Sequence, residues 1–250
     1  LIKLQKHLAD LGLGSRRRIE QWIEQGRIKV NRQKATIGDR VSPSDRIEVD
    51  GKRVHSKRNK FQVEWLAYHK PEGEITTRRD PQGRTSVFSQ LPRPRYGRWI
   101  SVGRLDINTS GLLLFTNNGE QANYLMHPSN EVKRIYMARV HGKLSQEEMQ
   151  QLKRGIQIEE GVAKFEAIEF AGGQSNNFWY RVTLTQGHYR EVRRLFSHLG
   201  HEVGRLMRIQ YGEFTLPSSL KRGQWRYLEV AKHPYIKHLI EQTKQPTLKS

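Results

Sequence analysis

Val102-Gly103-Arg104-Leu105-Asp106-Ile107-Asn108-Thr109-Ser110-Gly111-Leu112-Leu113-Leu114 is the segment on which the reading of this 250-residue chain turns. An apolar run ends at Val102, a loop rich in turn formers follows, and a leucine run opens a second strand. Further strand-like runs are Trp65 to Tyr68, Trp99 to Val102, Leu112 to Phe115, Tyr136 to Val140, Phe165 to Phe170, Phe178 to Leu184, Arg205 to Tyr211 and Trp225 to Val230. Few helices interrupt them. Ser145 with Glu148 forms a capping box that opens Gln146 to Arg154. Val192, Leu195, Phe196 and Leu199 make a helical stripe that Gly200 ends. A short helix is expected over residues 235–243, with a loose tail from Lys244. This pattern predicts an α+β fold with a mixed, mainly antiparallel sheet and flanking helices, not a doubly wound one.

The N-terminal quarter differs in character. Leu1, Leu4, Leu8 and Leu11 have helical spacing, Ser15 is an N-cap for Arg16 to Gln25, and Gly26 reads as that helix's C-cap. Two short strands follow, Arg27 to Val30 and Arg46 to Val49. Residues 1–60 hold 16 Lys and Arg against 7 Asp and Glu, so they carry +9 of the chain's +19. Arg16, Arg17, Arg18 and Lys29 lie on this helix-hairpin module. Clustered basic residues on folded elements favour a polyanionic partner over mere solubilising charge, because they release counterions condensed on a phosphate backbone. The expected organisation is a basic module at 1–54, a linker at 55–64, a larger domain at 65–232 and a C-terminal helix and tail at 233–250.

Several chemistries are excluded. No run approaches the roughly 18 apolar residues of a membrane span, and no early apolar segment resembles an export signal. Cysteine is absent, which removes disulfides, thiol nucleophiles and Cys-based zinc sites and fits the cytosol. No phosphate-binding loop or dinucleotide fingerprint occurs. His198 and His201 lack a third ligand nearby, and a two-metal nuclease needs clustered carboxylates. Residues 61–250 contain only the aspartates Asp80 and Asp106. Asp80, before Pro81 and Gly83, has type I turn spacing and reads as a backbone partner. Asp106 lies between apolar neighbours. Desolvation opposes its ionisation and a nearby cation restores it, with Arg104 and the arginines of 190–194 as candidates. Context alone leaves it a catalytic carboxylate or a structural ion pair. Arg190, Arg193 and Arg194 share a side of the helix opposite Val192 and Leu195. They form a solvated basic face, or contact phosphate with one arginine turned to a carboxylate. Tyr136, beside Lys133, Arg134 and Arg139, is a base-stacking aromatic or a core tyrosine.

Taken together, the motifs resemble a known family. Gly103-Arg104-Leu105-Asp106 with Thr109, Gly111 and Thr116 resembles the signature of pseudouridine synthases of the A branch, the one named for the small ribosomal subunit. His69-Lys70-Pro71-Glu72-Gly73, Leu125-Met126-His127-Pro128 and Arg190-Glu191-Val192-Arg193-Arg194-Leu195 match the same branch. The pattern Gly14-Ser15-Arg16-Arg17 to Val30-Asn31 is similar to the RNA-binding module of small ribosomal protein S-four. Arg98-Trp99-Ile100 and Trp179 to Thr185 look most like members acting on large-subunit ribosomal RNA. Asn118 departs from the family, where an acid is frequent in that turn.

The resemblance implies isomerisation of uridine to pseudouridine in ribosomal RNA, with a flipped-out base. It implies Asp106 as nucleophile, Tyr136 stacked on the base and Arg193 paired with the aspartate. Arg104, Leu184, Arg190 and Arg194 would line the substrate pocket. Attack at C6 of the uracil and attack at C1′ of the ribose make the same demand on the sequence. An isomerisation requires no metal, redox cofactor or nucleotide, and none is expected here. A non-catalytic RNA-binding assembly factor is the rival reading. A monomer is expected, because no apolar stripe is left over.

Overall fold

The computed structural model describes residues 1–42, 44–54 and 62–244. Most of the expected linker, at 55–61, and the tail from 245 lie outside the described residues. The chain falls into two units. One comprises Leu1–Glu64 with Arg93–Ile100 and Asn117–Gly119; the other comprises Trp65–Pro92, Ser101–Thr116 and Glu120–Ser250.

In the first unit, β1 (Ile2–Lys3) leads into α1 (Leu4–Asp10) and α2 (Arg16–Glu24). The Ser15 side chain accepts from the Arg18 N–H at 3.1 Å, and Gly26, at φ +68°, follows the end of α2. Then come β2 (Ile28–Val30), β3 (Gln33–Lys34), β4 (Arg40–Val41), β5 (Ile47–Val49) and β6 (Lys52–Arg53). Strands β3-β2-β5-β6 form an antiparallel sheet, and β1 pairs with β4. Leu4, Leu8, Ile19, Ile23, Ile28, Val41 and Ile47 make the core. Each such burial contributes roughly 1.5–3 kcal/mol. The helix expected from Leu1 starts instead at Leu4. Residues 2–3 are extended because Arg40–Val41 satisfies their backbone, and Leu1 is left exposed.

The second unit contains β7 (Trp65–Lys70), β8 (Ile100–Val102, which begins in the first unit), β9 (Ser110–Thr116), α3 (Gly119–Met126) and β10 (Arg134–His141). It continues with α4 (Gln146–Arg154), β11 (Ile156–Ile158), β12 (Gly161–Ala163), β13 (Ala167–Gln174), β14 (Asn177–Leu184) and α5 (Glu191–His198). It ends with β15 (Val203–Tyr211), β16 (Phe214–Thr215), β17 (Trp225–Leu228) and α6 (Pro234–Lys244). The main sheet runs β13-β14-β10-β15-β9-β7-β17, with β8 on β9 and β16 on β15. Along the order β13-β14-β10-β15-β9-β7-β17 the pairs are antiparallel except β15 with β9, so the α+β expectation holds. The capping box of α4 has both of its hydrogen bonds. On one sheet face, Ala138, Val140, Tyr180, Val182 and Leu206 pack with Val192, Leu195 and Phe196 of α5 and Leu152 of α4.

Helix α3, the β11–β12 hairpin and the two-residue strands β1, β3, β4, β6 and β16 escaped sequence reasoning. Helix α3 has a weak apolar stripe, Ala122 and Leu125, and is anchored by Gln121 accepting from the Trp65 indole N–H at 2.9 Å. The β11–β12 hairpin has three-residue strands, too short for alternation to register. Among the described residues no helix is long and apolar enough to cross a membrane.

Gly111 is where the parallel β9–β15 pair closes. Its φ is +109°, and a Cβ would sit 2.2 Å from the Arg208 carbonyl oxygen and 2.6 Å from its nitrogen. Both contacts are backbone, so no side-chain adjustment relieves them. Gly111→Ala is expected to destabilise the chain by about 2 kcal/mol or more. Denaturant unfolding measures it; a change under about 0.5 kcal/mol would refute the close-approach argument.

Candidate active site

The loop after Val102 is held at five successive carbonyls. Thr76 Oγ1 donates to Leu105 O at 3.0 Å, and the Thr109 N–H donates to Asp106 O at 3.0 Å. The Gly73 N–H donates to Ile107 O at 2.7 Å. Arg193 Nη2 donates to Asn108 O at 2.8 Å. Lys70 Nζ donates to Thr109 O at 2.8 Å, to Pro71 O at 2.9 Å and, at 3.5 Å, to Ile107 O. Strand β7, the turn after it and α5 therefore position the backbone around Asp106. The Asp106 side chain is half-buried.

Two cations bear on that carboxylate. Arg193 is half-buried on α5, its Nη1 donating to Val203 O at 2.5 Å. Burial, reinforced by Arg190, pushes its guanidinium below the ordinary range; Asp106, Glu72 and Glu202 oppose the shift. The expected direct pairing is corrected here: among the described residues Arg193 and Asp106 share no hydrogen bond and act on each other through space. The terminal nitrogens of Arg193 donate instead to the Val203 and Asn108 carbonyls, and its Nε is buried without a partner. Lys70 is the second cation and is fully buried. Burial pushes its ammonium down to about 8, with Glu74, Asp106 and Glu72 opposing and Arg208 adding to the shift.

Tyr136 on β10 is half-buried against the α5-side core, and its hydroxyl has no hydrogen-bond partner among the described residues. Leu184 is buried in the same core. Arg104 is exposed. Arg190, Arg193 and Arg194 line a cleft of about 610 Å³ with Gln157, Ser197 and His198. Arg190 precedes α5 in the left-handed region, at φ 50°. Arg194 is bound by both carboxylate oxygens of Glu160, at 2.7 and 2.9 Å. The Asp80 carboxylate is engaged by Arg84 through its backbone N–H and guanidinium, which hold it down at about 2. His201 bonds to Glu148 and to His141 O, a structural placement.

In the first unit Arg16, Arg17, Arg18 and Lys29 are all exposed. Trp22 of α2 is half-buried, with the Arg18 and Arg27 guanidiniums 5.4 and 4.9 Å from its ring centroid.

Sequence reasoning did not single out the charges buried near Asp106. Lys70 closes a strand whose six residues are all buried. Arg208, 2% exposed, donates through Nε to Leu112 O at 2.8 Å, lies over the Tyr211 ring and sits cross-strand from Tyr136. A cation ending or interrupting an apolar run was the available signal. Arg134 was passed over as well; it ties the loop before α5 by donating to Thr185 O and Gln186 O.

This arrangement sets a half-buried carboxylate on a hydrogen-bonded loop where Lys70 and Arg193 act on it through space; the arginine-lined cleft includes Arg193 but neither Asp106 nor Tyr136. A family model described as RNA pseudouridylate synthase matches residues 64–198, and one described as S4 domain matches residues 2–47. The ribosomal large subunit pseudouridine synthase B of Salmonella typhimurium strain LT2 is 52% identical over 242 residues, covering 96% of this chain and 83% of that protein. Its namesake from Escherichia coli strain K12 is 51% identical over the same length, with the same coverage. A crystal structure of a pseudouridylate synthase, 23% identical, shares the fold with a TM-score of 0.65, covering 96% of this chain and all of that one. The chain belongs to the RNA pseudouridylate synthase family and is an isomerase with an S4 domain.

Lys70 supplies a test of the loop. Between about pH 8 and its ordinary 10.5, the unfolded chain binds more protons at this site than the native one, so stability rises with pH there. Lys70→Met is expected to abolish up to about 3 kcal/mol of that rise and, by releasing the loop, to slow product formation about 100-fold. Unfolding curves at both ends of the window and a rate assay check this; a native pH slope together with a native rate would show that the ammonium holds nothing.

Proposed function

We propose that this chain converts uridine to pseudouridine in ribosomal RNA, specifically the large-subunit RNA that the relatives' names suggest. Within the family its motifs at 103–116, 125–128 and 190–195 keep it with the A branch. Residues 1–54 act as the RNA-binding module and 65–232 as the catalytic domain, in a monomer working in the cytoplasm.

The observation that carries this reading is Asp106 on a loop pinned at Leu105, Asp106, Ile107, Asn108 and Thr109, with Lys70 and Arg193 acting on it through space. The reaction breaks the N1–C1′ bond, forms C5–C1′ and moves the C5 proton, with no net oxidation. A nucleophilic carboxylate acts in its ionised form, and Lys70 and Arg193 are the cations that act on this one through space. The target base is extruded at a cost of a few kcal/mol, and stacking on Tyr136, worth roughly 1–3 kcal/mol, offsets it. Arg104, Arg190 and Arg194 contact the flanking phosphates, and Leu184 backs the pocket wall.

Tritium release from unmodified ribosomal RNA carrying tritium at uridine C5 tests the nucleophile. Asp106→Asn should lower the rate roughly 10⁴-fold or more while RNA is still bound. Equal product from both proteins would sink the assignment, and binding without product from the native chain would favour a clamp that does no chemistry.

The module's part is separable by salt. Replacing Arg16, Arg17 and Arg18 by Gln should weaken binding and flatten the dependence of log affinity on log salt by about 0.7–0.9 for each phosphate no longer neutralised. An unchanged slope would mean these residues face solvent in the complex.

A further inference from the structure

The sheet face opposite Tyr136 carries arginines that form no ion pair among the described residues. Strand β10 pairs with β14 without interruption from Arg134 to His141, so its alternation is unambiguous. Tyr136, Ala138 and Val140 point to the α5-side core, and Met137 and Arg139 point away from it. Cross-strand partners share a face. Arg139 therefore stands in a row between Trp179 of β14 and Arg205 of β15, and Met137 stands between Arg181 and Met207.

That face is open at these rows. Arg181 and Arg205 are exposed, and Trp179, Arg139, Met137 and Met207 are half-buried. Among the described residues none of the three arginines has a hydrogen bond or an ion pair, and Arg139 Nε is buried without a partner. Arg139 lies along the sheet, with Nη2 3.6 Å from where a Cβ on Gly204 would be. Glu169, cross-strand from Arg181, makes no ion pair with it. Arg139 and Arg205 are directly opposite, a like-charge placement that destabilises a sheet.

We propose that this face, on the side of the sheet away from Tyr136, is a second RNA-contact surface. It takes a single-stranded segment, whose phosphates pair with Arg139, Arg181 and Arg205 and one of whose bases stacks on Trp179. Guanidiniums suit phosphate bidentately, and an exposed aromatic on a sheet face accepts any base. Met137 and Met207 supply a deformable floor under that base. The row spans roughly 10 Å across three strands, enough for a strand to lie along it. The proposal rests on RNA being the substrate.

The test uses the full-length Asp106→Asn chain and an unmodified ribosomal RNA fragment, with affinity measured over a salt series. Adding Arg181→Gln and Arg205→Gln should lower the slope by about 1.5. Adding Trp179→Ala should weaken binding about 5- to 150-fold, and Trp179→Phe should restore most of it. Ultraviolet cross-linking of the native chain should join RNA to the peptide carrying Trp179, a readout that needs no variant to fold. Native slope and affinity in the variants, or no cross-link at Trp179, overturns the proposal, including the case in which a protein covers this face. Tritium release by the native chain separately reports whether the isomerase reading stands.

Discussion

Backbone carbonyls of the 105–109 loop, each given a donor, are the constraint on which the catalytic unit depends. Apart from the Thr109 N–H on the Asp106 carbonyl, the donors come from elements far apart in sequence: Lys70 at the end of β7, Gly73 and Thr76 beyond it, and Arg193 on α5. A loop of this length would ordinarily sample many conformations at a cost of about 1–2 kcal/mol per residue to order. Here that cost is met when the sheet and α5 fold, so the backbone that carries Asp106 is positioned in advance. Preorganisation of this kind is what makes an electrostatic site effective, because nothing has to reorganise as charge develops.

The same arrangement explains why cations are buried near it. An isolated ammonium in an apolar interior would lose its proton. Lys70 keeps three carbonyl partners and lies within reach of Glu74, Asp106 and Glu72, which offset part of the desolvation. Arg208 has a carbonyl and the Tyr211 ring. Arg193 has two carbonyls, and it influences Asp106 without being neutralised by it. Among the described residues Asp106 makes no short ion pair, whereas Asp80 is fully engaged by Arg84.

The two faces of β10 divide the labour of the sheet. One buries Ala138 and Val140 with α4 and α5 and presents Tyr136; the other presents Arg139 between Trp179 and Arg205. In the first unit cations are likewise gathered over an aromatic, with Arg18 and Arg27 on Trp22. Guanidinium beside an aromatic ring thus recurs on separate surfaces of an RNA-modifying enzyme.

The strands, helices α2, α4 and α5, their caps and the α+β class were legible from the residues, because alternation, helical stripes and Ser or Gly punctuation are local properties. Asp106 stood out for the same reason: the larger part of the chain has only two aspartates, and one of them is a turn former. Residues 1–3, α3 and the β11–β12 hairpin were not legible, since pairing with Arg40–Val41, the Gln121–Trp65 bond and three-residue strands depend on partners distant in sequence. Lys70, Arg208 and the detour of Arg193 to the carbonyls of Asn108 and Val203 were decided by the tertiary structure alone. Composition and spacing determine which side chains exist and which face of an element they take. The free energy of burying a charge depends on which acceptors the folded chain brings to it.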